Sequence, residues 1–321
     1  MKTALILGVD GQDGSYLAEL LLSKKYQVIG WVPETITVSY ENIDHISDQI
    51  NIVEGNILND EGIDSLIKTF LPDEIYNLAA PSSPSASWND PITKSNVIAL
   101  GPVRLLEAIR KNCPEARYYQ ASSSELFGEP IEVPQNENTP FNPRNPYGIA
   151  KLYAHWFVVN CRKKYGLFAV SGIMYNHESP RRGLNYVTRK ITHSAAEIKM
   201  GLCDELLLGN LDSRRDWGYA KDYVTAMWIM LQQDTPEDYV VGTGKTHTVR
   251  EFCDIAFNSL GLDYKDYVKV SPNLFRENEE KQLVADSTKI RNRMGWKPEL
   301  EFYDLVQTMV TSDLNSLDEQ N

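Results

Sequence analysis

The 321-residue chain is expected to fold as an α/β protein, a doubly wound parallel sheet with a smaller C-terminal lobe. Three observations predict this. Short apolar runs alternate with helix-periodic segments through the first 175 residues, a glycine-rich turn joins the first run to the first helical pattern, and the rhythm loosens after Tyr175.

Residues 3–8 form a short apolar run suited to a strand buried on both faces; Gly8-Val9-Asp10-Gly11-Gln12-Asp13-Gly14 and a helical pattern over 15–22 follow. Further strands are expected at 27–32, 50–54 and 74–79, with a helix at 60–70. One helix over 91–111 leads to a fifth strand at 117–122, and one over 147–165 to a sixth at 167–173. This alternation requires a parallel sheet with helices on both faces, the Rossmann-type arrangement. Beyond residue 175, a helix at 188–200 and segments at 206–208, 218–233, 239–242 and 249–260 alternate less regularly, and a polar stretch at 276–281 precedes the last helices. This third is read as a lobe over the carboxyl edge of the sheet, with some segments returning to the main domain. The acidic end, 312–321, is expected to fray.

Composition narrows the function. The chain is 42% hydrophobic, enough for a sizeable core. Its net charge of −12 argues against nucleic acid or an anionic membrane surface as a partner, so an anionic ligand must be met by local basic residues. Cys113, Cys161, Cys203 and Cys253 form no C-x-x-C pair and the five histidines no H-x-x-x-H, so neither a disulfide framework nor a metal site is expected. With no leader-like or membrane-spanning run, the expected location is the cytoplasm.

Gly8, Gly11 and Gly14 lie between a strand and a helix, the context in which glycines let a backbone approach a pyrophosphate held by helix N-terminal N–H groups. A structural turn is the bland alternative. After the second strand come Trp31-Val32-Pro33-Glu34, and no arginine lies between Gly14 and Arg104, so nothing obvious would hold a 2′-phosphate; NAD is expected, with NADP as the alternative. Asn56, after the third strand, either meets adenine or serves as a turn residue.

Tyr147 and Lys151 share one helix face, where an ammonium can lower a phenol's pKa and contact the nicotinamide ribose, leaving a base for a substrate hydroxyl. With 17 tyrosines a chance Tyr-x-x-x-Lys match is expected about once, and Tyr186 with Lys190 is a second one. Position decides for Tyr147, which begins the helix after the fifth strand, whereas Tyr186 lies outside the alternation. Ser123 can hydrogen-bond the same hydroxyl. Glu125 goes beyond a plain dehydrogenase: once a hexose C4 is oxidised, a carboxylate there can take the acidified C5 proton and help expel the C6 hydroxyl as water, the hydride returning to C6. The alternative for Glu125 is a surface or helix-cap acid.

At these residues the sequence resembles the extended short-chain dehydrogenases, and within them the GDP-mannose 4,6-dehydratases. The likeness runs through Gly8 to Leu17, Glu74 to Ala80 and Asn145-Pro146-Tyr147-Gly148-Ile149-Ala150-Lys151. It continues through Asn176-His177-Glu178-Ser179-Pro180-Arg181-Arg182-Gly183, Val187-Thr188-Arg189-Lys190 and Gly209-Asn210-Leu211 to Arg215-Asp216-Trp217-Gly218.

The resemblance implies a hydro-lyase that binds its dinucleotide in residues 1–175 and its GDP-sugar mainly in 176–321. Ser123, Glu125, Tyr147 and Lys151 would be catalytic. Gly8, Gly11, Gln12, Asp13, Gly14, Asn56, Ile57, Leu78, Ala79, Ala80 and His177 would join Tyr147 and Lys151 around the cofactor, and Asn176, Lys190, Arg215, Arg276 and Glu279 would hold GDP. For Arg215 and Arg276 an ordinary surface ion pair is the alternative. Three departures stand out. Val32-Pro33-Glu34-Thr35-Ile36 replaces an arginine-rich segment tied to a 2′-phosphate and to tetramers, so a homodimer is expected, with a homotetramer as the alternative. Arg276-Glu277-Asn278-Glu279-Glu280-Lys281 matches the family's Arg-Pro-x-Glu-Val-Asp weakly. Ser82, Ser83 and Ser85, in the segment 81–88, replace bulkier residues near the sugar, where they could make room for, or hydrogen-bond, a larger C2 substituent such as N-acetyl. GDP-mannose is thus the default substrate and GDP-N-acetylglucosamine its rival. A 4-epimerase or 4-ketoreductase would use the same scaffold without Glu125, and an inactive cofactor-sensing module would not need Tyr147 and Lys151.

Overall fold

The computed structural model describes residues 1–34, 40–82, 84–275 and 282–319, with backbone only at 85 and 86. In chain order the elements are β1 (Thr3–Leu7), α1 (Gln12–Ser23), β2 (Gln27–Pro33), β3 (Asn51–Gly55), α2 (Asp60–Phe70), β4 (Glu74–Asn77), α3 (Pro91–Ser95), α4 (Gly101–Asn112), β5 (Arg117–Ser123), α5 (Pro146–Tyr165) and β6 (Ala169–Met174). Then come β7 (Asn176–Glu178), α6 (Val187–Lys199), β8 (Leu206–Leu208), β9 (Arg214–Arg215), β10 (Trp217–Tyr219), α7 (Ala220–Leu231), β11 (Tyr239–Val241), β12 (His247–Thr248), α8 (Val249–Asn258), α9 (Tyr264–Tyr267), β13 (Val268–Val270), α10 (Thr288–Met294) and α11 (Phe302–Asp318).

Seven strands form one sheet in the order β11-β6-β5-β4-β1-β2-β3, every pair parallel. Alternation along β1 explains the two covered faces. Ala4 and Ile6 point into the core shared with α1 and α7, while Leu5 and Leu7 point into the core shared with α2, α4 and α5. After β3 the chain crosses back to lay β4 on the other side of β1, so the strand order reverses between β1 and β4, and a crevice opens at their carboxyl ends.

A separate apolar core unites α6, α8 and α11 around Trp217. β7 follows β6 directly and pairs with β10 in a separate two-stranded sheet, which sets Asn176 against Trp217 and His177 against Gly218.

Two expectations are corrected. The stretch 91–111 is not one regular helix: a π-helical segment, Asn96–Leu100, separates α3 from α4. Pro102 follows, lacking the N–H that would bond the Ile98 carbonyl and crowding it with its ring, and the wider turn accommodates this. Nor does the C-terminal stretch fray, because α11 continues to Asp318 and buries Asp313, whose carboxylate pairs with Arg189 at 2.6 Å and accepts from Thr192 Oγ1 at 2.6 Å. The last two residues, 320–321, lie outside the described residues.

Candidate active site

The glycine turn opens the crevice. Gly8 has φ +82°, a backbone that favours glycine, and a Cβ on Gly14 would sit 2.1 Å from the Gly8 carbonyl oxygen. Gly11 is the N-cap of α1 and supplies no side-chain cap, so the first N–H groups of a 12-residue helix remain available. Those donors and the positive end of the helix fit a dinucleotide pyrophosphate.

Behind the turn, residues far away in sequence lock it. Gln12 Nε2 donates to the His177 carbonyl (3.1 Å), Ser179 Oγ donates to Gln12 Oε1 (2.8 Å), and His177 Nε2 lies 2.7 Å from Asp13 Oδ2. Burial acts to raise the Asp13 carboxyl, but the imidazolium beside it prevails and holds it below the usual carboxylate range. For His177 burial acts to lower the imidazole, and the Asp13 charge overcomes it and raises the pKa.

The reactive groups meet where β5 ends. Ser123 is its last residue, Glu125 lies in the following 3-10 turn Ser124–Leu126, and Asn145 caps α5 through its Oδ1, which accepts from Gly148 N at 2.8 Å. The amide of that same cap donates from Nδ2 to Glu125 Oε2 at 2.8 Å. One asparagine therefore starts the helix that carries Tyr147 and aims the carboxylate. Burial pushes the Tyr147 phenol well above the usual range, with the Glu125 charge adding and a hydrogen bond to Ser123 opposing. Burial lowers the Lys151 ammonium to about 8, with Asp13 opposing. Lys151 Nζ donates to the Ala121 carbonyl at 2.7 Å and stands 5.7 Å from the Tyr147 ring centre.

These groups line one cleft of about 470 Å³, between the carboxyl edge of the sheet and the second lobe. Of the residues singled out in the sequence, Gly8, Gly11, Gln12, Asp13, Gly14, Leu78, Ala80, Ser82, Ser123, Glu125, Tyr147, Lys151, Asn176, His177, Lys190 and Arg215 line it. Lys190 Nζ donates to the Leu207 carbonyl at 2.7 Å. Asn56, Ile57 and Ala79 are not on its wall: Asn56 Oδ1 accepts from Leu58 N in a turn, and Ile57 is buried in the core against α4. Ser83, Arg276, Glu279 and the Ser85 side chain lie outside the described residues.

Sequence reasoning gave no role to Asn145, although it stood in a quoted motif at a helix-cap position. It also set aside Tyr186, which lines the cleft and donates to or accepts from Ser82 Oγ at 2.6 Å. Among the described residues no group of three or more His, Cys, Asp or Glu could hold a metal ion, and no helix is long and apolar enough to cross a membrane.

Comparison with known proteins places this arrangement. A family model described as GDP-mannose 4,6 dehydratase matches residues 5–309. GDP-mannose 4,6 dehydratase 2 of Arabidopsis thaliana is 47% identical over 325 residues, covering 98% of this chain and 87% of the relative. Among solved structures, UDP-glucose 4-epimerase of Thermotoga maritima with UDP-glucose superposes with a TM-score of 0.88 at 23% identity, over 98% of this chain and 99% of its own. The dTDP-glucose 4,6-dehydratase of Bacillus anthracis in complex with NAD gives 0.87 at 23%, over 99% and 98%. Epimerase and dehydratase share the fold equally, so these two establish the extended short-chain dehydrogenase architecture alone. The match over nearly the whole length settles the family: the chain belongs to the GDP-mannose 4,6-dehydratases, a family of hydro-lyases.

Proposed function

We propose that the cleft converts GDP-mannose to a GDP-4-keto-6-deoxy sugar, with the nicotinamide dinucleotide retained through the cycle. The observation that carries this reading is the Glu125 carboxylate, fixed by Asn145 in the same cleft as Ser123 and Tyr147. Bound in the glycine turn, the dinucleotide supplies the redox partner that oxidises C4 and later reduces C6. Ser123 orients the C4 oxygen, and Tyr147, whose phenol burial raises, takes its proton once the Lys151 cation is brought to bear on it in the loaded cleft. The ketone acidifies C5, and Glu125 removes that proton; the C6–O bond breaks, and the same carboxyl returns the proton to the departing hydroxide as water. A C5=C6 double bond forms; as the hydride returns to C6 a proton returns to C5, and the one Tyr147 took from O4 makes up the balance by way of solvent.

Lys151, one helical turn from Tyr147 and charged below about pH 8, offers the phenol and the nicotinamide ribose a cation. Residues 1–175 are read as the dinucleotide half. Asn176, Lys190 and Arg215, with Arg276 and Glu279, are assigned to the GDP moiety by their matches to the family motifs.

NAD is the cofactor we favour. Glu34 is exposed at the end of β2 and residues 35–39, Thr-Ile-Thr-Val-Ser, carry no cation, so a 2′-phosphate would meet a carboxylate rather than an arginine. The rival substrate is GDP-N-acetylglucosamine, for which the serines at 82, 83 and 85 are the argument, being smaller than the residues the family resemblance leads one to expect there.

A homodimer is the proposed assembly. Ile149, Tyr153 and Trp156 form an exposed stripe on α5, and Trp88 and Ile92, 64% and 76% exposed, are further large hydrophobics open to solvent. Cytoplasmic location follows as the reading for an enzyme of nucleotide-sugar metabolism.

Mass spectrometry of GDP-mannose and GDP-N-acetylglucosamine after incubation with the enzyme and NAD tests the reading. The expected product is lighter than its substrate by one water. An isomer of unchanged mass would point instead to an epimerase.

A further inference from the structure

Tyr186 has no role in the sequence reading, yet it lines the cleft, and both its ring and its hydroxyl have partners. It is the N-cap residue of α6, and its backbone carbonyl accepts from Lys190 N at 2.8 Å. Its ring is braced from behind: the buried carboxylate of Glu178 pairs with Arg182 at 3.1 Å, and the Arg182 guanidinium lies 3.7 Å from the Tyr186 ring centre. With the ring held, the hydroxyl is the only part left to act. It meets Ser82 Oγ at 2.6 Å, a bond that spans 104 residues and joins the loop after β4 to the second lobe.

Two features locate this hydroxyl pair relative to a bound GDP-hexose. Tyr186 and Lys190 stand four residues apart on one side of α6, and Lys190 is assigned to the nucleotide. Tyr186 and Ser82 also line the same cleft as Tyr147, Ser123 and Lys190. With Lys190 assigned to the nucleotide and Tyr147 to C4, we read the pair at the hexose between them. Tyr147, Ser123 and Glu125 serve C4 to C6, and C1 carries the diphosphate. The ring oxygens left for another partner are those on C2 and C3.

A mutually bonded pair of hydroxyls uses one of its two hydrogens internally and retains one to donate, along with spare lone pairs. We propose that Ser82 and Tyr186 act together as the specificity element for the C2–C3 edge of the hexose, one hydroxyl orienting the other toward a sugar oxygen. The inference rests on reading the cleft as a GDP-hexose site.

The test uses the NAD-loaded enzyme and its Tyr186→Phe, Ser82→Ala and double variants. Tyr186→Phe keeps the ring under Arg182 and removes only the hydroxyl. For each we would measure KM and kcat for GDP-mannose, the inhibition constant of GDP, and the melting temperature. Loss of one neutral hydrogen bond to the sugar should raise KM about tenfold in either single variant, and the double variant should lose little more because the two hydroxyls work as one unit. The GDP inhibition constant should not move, since no nucleotide contact is removed. Unchanged KM with a lowered melting temperature would reduce the pair to a structural strap between lobes and overturn the proposal. Equal weakening of GDP and GDP-mannose would overturn it too, by placing the pair at the nucleotide. If the unaltered enzyme failed to turn over any GDP-hexose, the functional reading itself would fall, and this inference with it.

Discussion

Lys151 is 4% exposed and carries its charge into the interior beside the cofactor turn, with a pKa lowered from 10.5 to about 8 by burial. An amine whose folded pKa is depressed releases its proton earlier when folded, so the penalty for burying the ammonium is present below about pH 8 and disappears as pH rises toward the unfolded value. That penalty is on the order of 3 kcal/mol. A Lys151→Met variant should therefore lose turnover by roughly 100-fold or more while its melting temperature at neutral pH holds or rises; a clear drop would contradict the account. The Asp13–His177 pair works in the opposite sense. The raised His177 pKa contributes stability that is full below the unfolded value near 6.5 and is lost as pH climbs through the folded one, and the lowered Asp13 pKa contributes above about 3.8 and is lost on acidification. Urea denaturation at about pH 6 and about pH 9 should show the wild type losing stability over that interval by more than a His177→Gln variant does; matching slopes would dismiss the pair as a stabiliser. Tyr147, Lys151 and Glu125 were legible in the sequence because their spacing is local, one helical turn or one short loop. Asn145, Tyr186 and the Asp13–His177 contact were not, because each gains its partner only when α5, α6 or β7 is folded against a distant turn.

The first six strands were readable to within a few residues, since a parallel strand covered on both faces needs an unbroken apolar run, and such runs stand out. Past Tyr175 the strands are two or three residues long; the runs at 206–208 and 239–242 are legible and form β8 and β11, whereas β7, β9, β10, β12 and β13 have no such run and exist because β7 meets β10, β9 meets β12 and β13 meets β8. The π-helical segment before α4 was equally invisible, as the sequence period is helical on both sides of Pro102 and only the missing N–H betrays it. At the C-terminus, charge was a poor guide to order. Asp313 reads as part of an acidic tail, yet it anchors α11 to α6 through Arg189 and Thr192. Removing one member of a buried ion pair leaves the other uncompensated, so Asp313→Ala should lower stability by about 3–5 kcal/mol, measured by chemical denaturation. A midpoint unchanged from wild type would mean that the helix is held by its apolar face alone.

Across the whole molecule, the strand order places the site: a parallel sheet whose strand order reverses between β1 and β4 opens at their carboxyl ends, and the second lobe closes over that opening. The glycine turn, the end of β5 and the start of α5 all arrive there, which is why a motif scan and the fold point to the same place. At this scale the expectation is that the enzyme binds NAD at least about tenfold more tightly than NADP, because residues 34–39 offer a 2′-phosphate a carboxylate and no cation; titration of the dinucleotide-free protein with each would check it, and equal affinities would contradict it. The central claim is that Glu125 makes this fold a dehydratase, and the most direct measurement is a single turnover of GDP-mannose by Glu125→Gln with NAD bound, following cofactor absorbance together with product mass. The account predicts that reduced cofactor accumulates while no water is lost from the sugar. Dehydration at the wild-type rate would contradict it.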